Sequence, residues 1–173
     1  MKLRRIVDED VERLFLMRSD PSLMTFIKRP LAKTTDDALA LIRKIDGALE
    51  AGSGITWAIA LATDDVLIGT IGFWRIEVEN FRAEIGYLLD KTQQGKGLMS
   101  EAIQAVVKYG FEEINLHSIE GRVDPKNAAS LRILEINGFE REGLLKENYF
   151  FEGKFEDSVI FSRFNTSHKL PQV

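Results

Sequence analysis

Apolar positions fall with two different periods along this chain, and the switches between them mark its elements. In "DEDVERLFLMRSD" an acidic start precedes Val11, Leu14 and Phe15, with Arg18 continuing the same side, which predicts a helix after the short strand "LRRIV". "SDPSLMTFIKRPLAK" holds two prolines and mixed polarity and is read as a loop or broken helix. "TTDDALALIRKIDGALEAG" has Thr and Asp caps, Leu39, Ile42, Ile45 and Leu49 at helical spacing, and a closing Gly52. Period-two runs follow: "ITWAIAL" and "VLIGTIGFWRIEVE" flank the turn "ATDD" as an antiparallel hairpin, and "AEIGYLLD" forms a further strand.

The helical period returns in "GLMSEAIQAVVKYGFEEIN", where Met99, Ile103, Val106 or Val107, Gly110 and Ile114 line one side. "HSIEGRVDP" is a strand stopped by Pro125. "NAASLRILEINGF" is a short helix between Asn127 as N-cap and Gly138 as C′ residue. Two last strands join around Glu152-Gly153, and a disordered tail is expected at 166–173. The order predicts an α+β, or mixed α/β, single domain over 1–165.

Composition narrows the chemistry. With 173 residues, 45% hydrophobic and 29% charged, the chain can bury one core. A net charge of -4 offers no basic face for a phosphate backbone, so no nucleic-acid partner is expected. The absence of cysteine removes disulfides, thiolate nucleophiles and a cysteinyl acyl-enzyme together. Two histidines, His117 and His168, make a histidine-rich metal site an unpromising idea, and no metal is assigned. No apolar run approaches the roughly 20 residues of a membrane span, and the N-terminus turns acidic where a signal peptide needs its apolar core. A cytoplasmic protein without a membrane partner is expected.

The stretch "QQGKGLMSEA" places Gly95 and Gly97 around Lys96 just before a helix. A P-loop would need Ser or Thr after the lysine, and a dinucleotide fingerprint a third glycine where Ser100 stands. What remains is a helix start with exposed N–H donors and the positive end of the dipole, aided by Lys96 and Gln94. By itself this is equally a plain helix opening.

Together with "DPKNAASLRILEINGF" downstream, this stretch resembles the GNAT superfamily of acyl-CoA-dependent N-acetyltransferases, and within it the RimJ/RimL type of ribosomal-protein N-terminal acetyltransferases. The motif Q/R-x-x-G-x-G/A maps to Gln94, Gly97 and Met99, with methionine in place of the last small residue. The likeness runs from "LRRIVDEDVERL" through "AEIGYLLD" to "YFFEGKFEDSVIFS". It implies a central mixed, mostly antiparallel sheet flanked by helices, splayed between its fourth and fifth strands. It implies acetyl-CoA as cofactor, with the pyrophosphate on the N–H groups of Gly95, Lys96, Gly97, Leu98 and Met99. The pantetheine arm would pair with the strand near Leu88 and Leu89, and Asn127 would touch the cofactor. The acceptor would lie between "SDPSLMTFIKRPLAK" and "NYFFEGKFED". Phe26, Trp74, Tyr149, Phe150 and Phe151 are the apolar contacts there, with Lys28, Arg29, Glu152, Glu156 and Asp157 as nearby charges. A peptide N-terminus, a polyamine or a small amine all suit that mixture, and a homodimer is compatible with the resemblance. A non-catalytic acyl-CoA sensor is the rival class.

Acetyl transfer needs a group that takes a proton, since amines of pKa roughly 8 to 10 arrive charged. In "RAEIGYLL" the alternation puts Glu84 on one face with Gly86 and Leu88, Gly86 leaving room for a ligand; a partly apolar cleft there would raise its pKa. The plainer reading is a solvated carboxylate paired with Arg82 or Lys91, and Glu77 and Glu79 are weaker bases. For the thiolate leaving group, Ser130 in the first turn after Asn127 is the acid, with Tyr149 as its alternative and capping of the helix as its structural role.

Overall fold

The two periods resolve into seven strands and five α-helices in a computed structural model that describes residues 1–168. The strands are β1 (Lys2–Arg5), β2 (Ile55–Ala60), β3 (Leu67–Glu77), β4 (Arg82–Leu89), β5 (Ser118–Val123), β6 (Glu140–Phe151) and β7 (Lys154–Phe164). The helices are α1 (Val11–Ser19), α2 (Pro21–Met24), α3 (Thr35–Glu50), α4 (Leu98–Glu112) and α5 (Ala128–Ile136). They form one sheet in the order β1-β2-β3-β4-β5-β7-β6. β4 and β5 run parallel, and the other neighbouring pairs are antiparallel.

Local chemistry explains most boundaries. Asp37 accepts from the N–H groups of Lys33 and Thr34 at 2.7 and 3.0 Å, which starts α3. On α3, Ile42 and Ile45 face the core as expected and are joined by Ala38 and Leu41, whereas Leu49 is 42% exposed. Ala38 is 1% exposed and belongs to the core shared with α1. The "broken helix" is resolved as α2, begun by Pro21 and by Asp20 accepting from Ser22 N–H at 2.9 Å. α5 ends with Gly138 N–H on Glu135 O and Phe139 N–H on Leu134 O, both 3.0 Å, a Schellman closure. β6 and β7 turn through Glu152 and Gly153 at φ 49° and 80°, a primed hairpin turn.

The sheet carries a core on each face. α4 and α5 cover Ile71, Phe73, Ile85, Ile119 and Phe161 on one side. α1, α2 and α3 cover Ala58, Leu67 and Leu88 on the other. Alternation along β4 therefore sends Ile85 and Leu89 toward α4 and α5, and Leu88 toward α1–α3.

The β4–β5 contact is what positions the site. Only Arg82↔Ser118, Ala83↔Ile119 and Glu84↔Glu120 pair, after which β5 continues along β7 alone. From Ile85 to Leu89, β4 has no strand on its β5 side. The sheet thus splits between its fourth and fifth strands, and it splits at Glu84. At the C-terminal end, Ser167 N–H donates to Asn165 Oδ1 at 3.0 Å and His168 N–H to Asn165 O at 3.2 Å; the rest of the expected tail, 169–173, lies outside the described residues. Among the described residues no helix is long and apolar enough to cross a membrane.

Candidate active site

Beyond the split, β4 runs into a loop that ends at the first turn of α4. Asp90 holds this loop, accepting from Thr92 N–H at 2.9 Å and pairing with Arg13 of α1 at 3.0 Å. Gly95 and Gly97 take φ of 74° and 78°, left-handed values that a Cβ strains. A Cβ on either would meet nothing within 4 Å, so the space above them is open. Gly97 is the N-cap of α4 and makes no side-chain cap bond. Among the described residues, no turn, loop or cap hydrogen bond uses the N–H groups of Gly95, Lys96, Gly97, Leu98 or Met99. These donors and the helix dipole form an anion cradle. Gln94 turns inward to donate to Leu89 O at 3.1 Å, while Lys96 reaches only Gln93, at 3.0 Å. The Met99 side chain is buried in the core under α4, so methionine in the motif serves packing.

On the same face, Asn127 caps α5 by accepting from Ser130 N–H at 3.1 Å. The Ser130 hydroxyl is therefore not consumed by the cap. It faces the hydroxyl of Tyr87 on β4, which is buried without a hydrogen bond of its own. Burial pushes the Tyr87 phenol up to about 12, and Ser130 pulls weakly the other way. Nothing in the motifs marks Tyr87. The alternation that singled out Glu84 also placed Tyr87 on the opposite face, toward α5.

Glu84 is 8% exposed. Its partners are Arg75 at 3.0 Å and Arg122 at 3.5 Å, in place of the expected Arg82 or Lys91. Three strands complete a closed ring of alternating charge on this face. Arg122 pairs with Glu120 at 2.6 Å, Glu120 with Arg82 at 3.7 Å, Arg82 with Glu77 at 2.9 Å, and Glu77 with Arg75 at 3.9 Å. Glu77 is thus held in this ring at the edge of the site. Burial raises the Glu84 pKa above the ordinary glutamate value; Arg122 and Arg75 oppose the rise, and the neighbouring Glu120 adds to it.

Gly86 does not leave an open face. The Trp74 indole lies 3.3 Å from where a Gly86 Cβ would stand, so the glycine makes room for tryptophan rather than for a ligand. Trp74 sits at a bulge in β3 and is 47% exposed, forming a wall beside Glu84. Arg75 lies 4.8 Å and Arg29 5.9 Å from its ring centroid.

The segment after α2 is strapped across this wall. Tyr149 Oη donates to Lys28 O at 2.9 Å, and Lys28 Nζ pairs with Asp124 at 3.0 Å and Glu156 at 3.8 Å. Phe26 is exposed on the same segment, and Phe151 adjoins the hairpin turn. The hairpin carboxylates are largely engaged: Glu156 also meets Lys126 at 3.8 Å, and Asp157 accepts from Glu147 N–H at 2.8 Å.

An open sheet split beside a parallel neighbour, an unused anion cradle at the end of the split strand and a buried carboxylate where the split begins define a transferase for a strand-like, phosphate-bearing acyl carrier. The chain belongs to the GNAT acetyltransferase family, matching the family model of the acetyltransferase (GNAT) domain over residues 1–140. The curated "Uncharacterized N-acetyltransferase p20" of Bacillus licheniformis is 35% identical over 162 residues, 94% of this chain and 91% of that protein. The ribosomal-protein-serine acetyltransferase of Escherichia coli (strain K12) is 40% identical over 102 residues, 58% of this chain and 56% of that protein. The solved GNAT acetyltransferase from Bacillus anthracis has a TM-score of 0.83 at 29% identity, with 94% of this chain and 93% of that one covered. The chain is an acetyl-CoA-dependent N-acetyltransferase. Its free N–H cradle, the open space over Gly95 and Gly97 and the unpaired edge of β4 fit that cofactor.

Proposed function

We propose that the enzyme moves the acetyl group to a primary amine by direct attack in a ternary complex, with a protein N-terminal α-amine as acceptor. The observation that carries this reading is the coincidence of the split with Glu84: one opening joins the cofactor face to the acceptor face at a buried carboxylate. Acetyl-CoA supplies an activated acyl group on a leaving thiol. Glu84 takes the amine proton, directly or through water, and its raised pKa brings it nearer to the working range of a base. A backbone N–H near Leu88 or Leu89 stabilises the oxygen that gains charge. Ser130 and Tyr87 hold a proton where sulfur departs, burial favouring the neutral, protonated form of the Tyr87 phenol. Trp74, Phe26, Tyr149 and Phe151 wall the acceptor side. The likeness to a ribosomal-protein-serine acetyltransferase supports a protein acceptor.

Labelled acetyl-CoA offered with N-terminal peptides, spermidine and small amines tests the proposal. Acetylation of peptide α-amines above all others is expected. Faster acetylation of spermidine would overturn the peptide assignment, and binding of acetyl-CoA without any transfer would overturn the transferase reading.

A further inference from the structure

Two guanidiniums on the acceptor side have no anion. Arg18, in the last turn of α1, is half-buried, and among the described residues its guanidinium makes one hydrogen bond, from Nη1 to the Met24 sulfur at 3.7 Å. Arg29 lies over Trp74. Neither forms an ion pair among the described residues, whereas Arg75, Arg82 and Arg122 nearby are each held by carboxylates. The two also feel one another: burial first, and then the charge of Arg29, lower the affinity of Arg18 for its proton. A cation–π contact and solvent account for Arg29, which is exposed. They do not account for a half-buried Arg18 beside a like charge, because a desolvated cation is costly unless an anion accompanies it.

The carboxylates around Trp74 and Lys28 are committed to other cations. Glu84, Glu77 and Glu120 belong to the charge ring, and Asp124 and Glu156 hold Lys28. Among the described residues no carboxylate pairs with Arg18 or Arg29, so an anion brought by the acceptor can complete them. Trp74 gives its position: one side of this residue receives Arg29, and its indole packs over Gly86 on the strand that carries Glu84.

We infer that Arg18 and Arg29 form a carboxylate subsite for the acceptor, so that the enzyme selects primary amines carrying a carboxylate, with the amine at Glu84 and the carboxylate across Trp74. Guanidinium forks suit carboxylates through paired hydrogen bonds. A polycation finds two unpaired positive charges at the same entrance. This inference rests on the acceptor side proposed above.

The test compares peptides with Asp or Glu near the N-terminus with their Asn or Gln counterparts, and free glutamate with glutamine, so that peptide and free amino acid are separate arms. Expected is an acid-to-amide ratio of kcat/KM of about tenfold or more in one arm, falling toward one in Arg29→Ala and Arg18→Met, with unchanged coenzyme A affinity. A ratio near one in the parent enzyme, a ratio that survives Arg29→Ala, or a loss of coenzyme A affinity in that variant would each overturn the inference. Arg29 is exposed, so its replacement keeps the test valid even if Arg18→Met folds poorly. A second readout needs no turnover: with coenzyme A saturating, glutarate should raise the Tm of the parent protein and not of Arg29→Ala. If no acceptor is acetylated yet this shift is seen, the subsite stands and the transfer reading falls; absence of the shift removes the subsite.

Discussion

The two sides of the split in the sheet solve different problems with different materials. On the α4–α5 side the site is made of backbone: free N–H groups, two left-handed glycines, a helix end and a pair of uncharged hydroxyls. On the α1–α3 side it is made of charged side chains, drawn from three strands and locked into a ring. A cofactor that is always the same can be met by fixed dipoles in one contiguous loop. An acceptor that must be discriminated and deprotonated needs side chains whose charge can respond.

The largest effect is expected where the two sides meet. Glu84→Gln should lower kcat/KM for any acceptor by about 100- to 10,000-fold, the usual worth of a positioned base. Coenzyme A affinity, measured by titration calorimetry, should not change. A similar loss of coenzyme A affinity would show that Glu84 belongs to the cofactor side and that the two sides are not separate.

Next in size is the converse change. Gly97→Val forces a β-branched residue into left-handed backbone, which costs about 1–2 kcal/mol, and places its side chain over the donors. Coenzyme A should bind about tenfold or more weakly, since 1.4 kcal/mol is a factor of ten. Acceptor KM at saturating acetyl-CoA should stay within about twofold. Equal losses on both sides would mean that the loop organises the whole site.

The same division decided what could be read from the chain. The cofactor side is local in sequence: Gly95, Gly97 and the capping Asn127 each act within a few residues of themselves, and the strand and helix periods around them are regular. The acceptor side depends on register. Arg122 reaches Glu84 because β5 pairs with β4 at Glu84↔Glu120, a fact that spacing along the chain does not contain. Gly86 was legible as a missing side chain, but its occupant, Trp74, is brought there by a bulge in β3. Alternation along β4 puts Tyr87 on the face opposite Glu84, but the strand pattern does not show that α5 brings Ser130 to it. On α3 the apolar spacing marks Ile42 and Ile45 but not Ala38, because alanine carries little weight in an apolar pattern, yet Ala38 is buried in the core.

Tyr87→Phe sharpens the cofactor side further and should have a smaller effect, about tenfold in kcat, with no loss of stability because the phenol oxygen is buried without a partner. Ser130→Ala should act on kcat in the same way, and the double variant should lose little more than the worse single one if the two hydroxyls work as a unit. Additive losses would mean that they serve different atoms.

The smallest effect is a shift in pH, and it tests the ring itself. Burial and Glu120 raise the Glu84 pKa, while Arg122 and Arg75 hold it down. A base works when deprotonated, so kcat/KM should rise with pH through a limb governed by Glu84. Arg75→Ala removes an influence that lowers the pKa, so the limb should move to higher pH and the loss of rate should be greatest in acid. Glu120→Gln removes an influence that raises it, so the limb should move to lower pH. Opposite shifts from two neighbours of one carboxylate are hard to obtain from general damage to the fold, which would lower the whole profile without moving it. Shifts in the same direction, or none, would assign the limb to another group and leave the ring as a structural clasp between β3, β4 and β5.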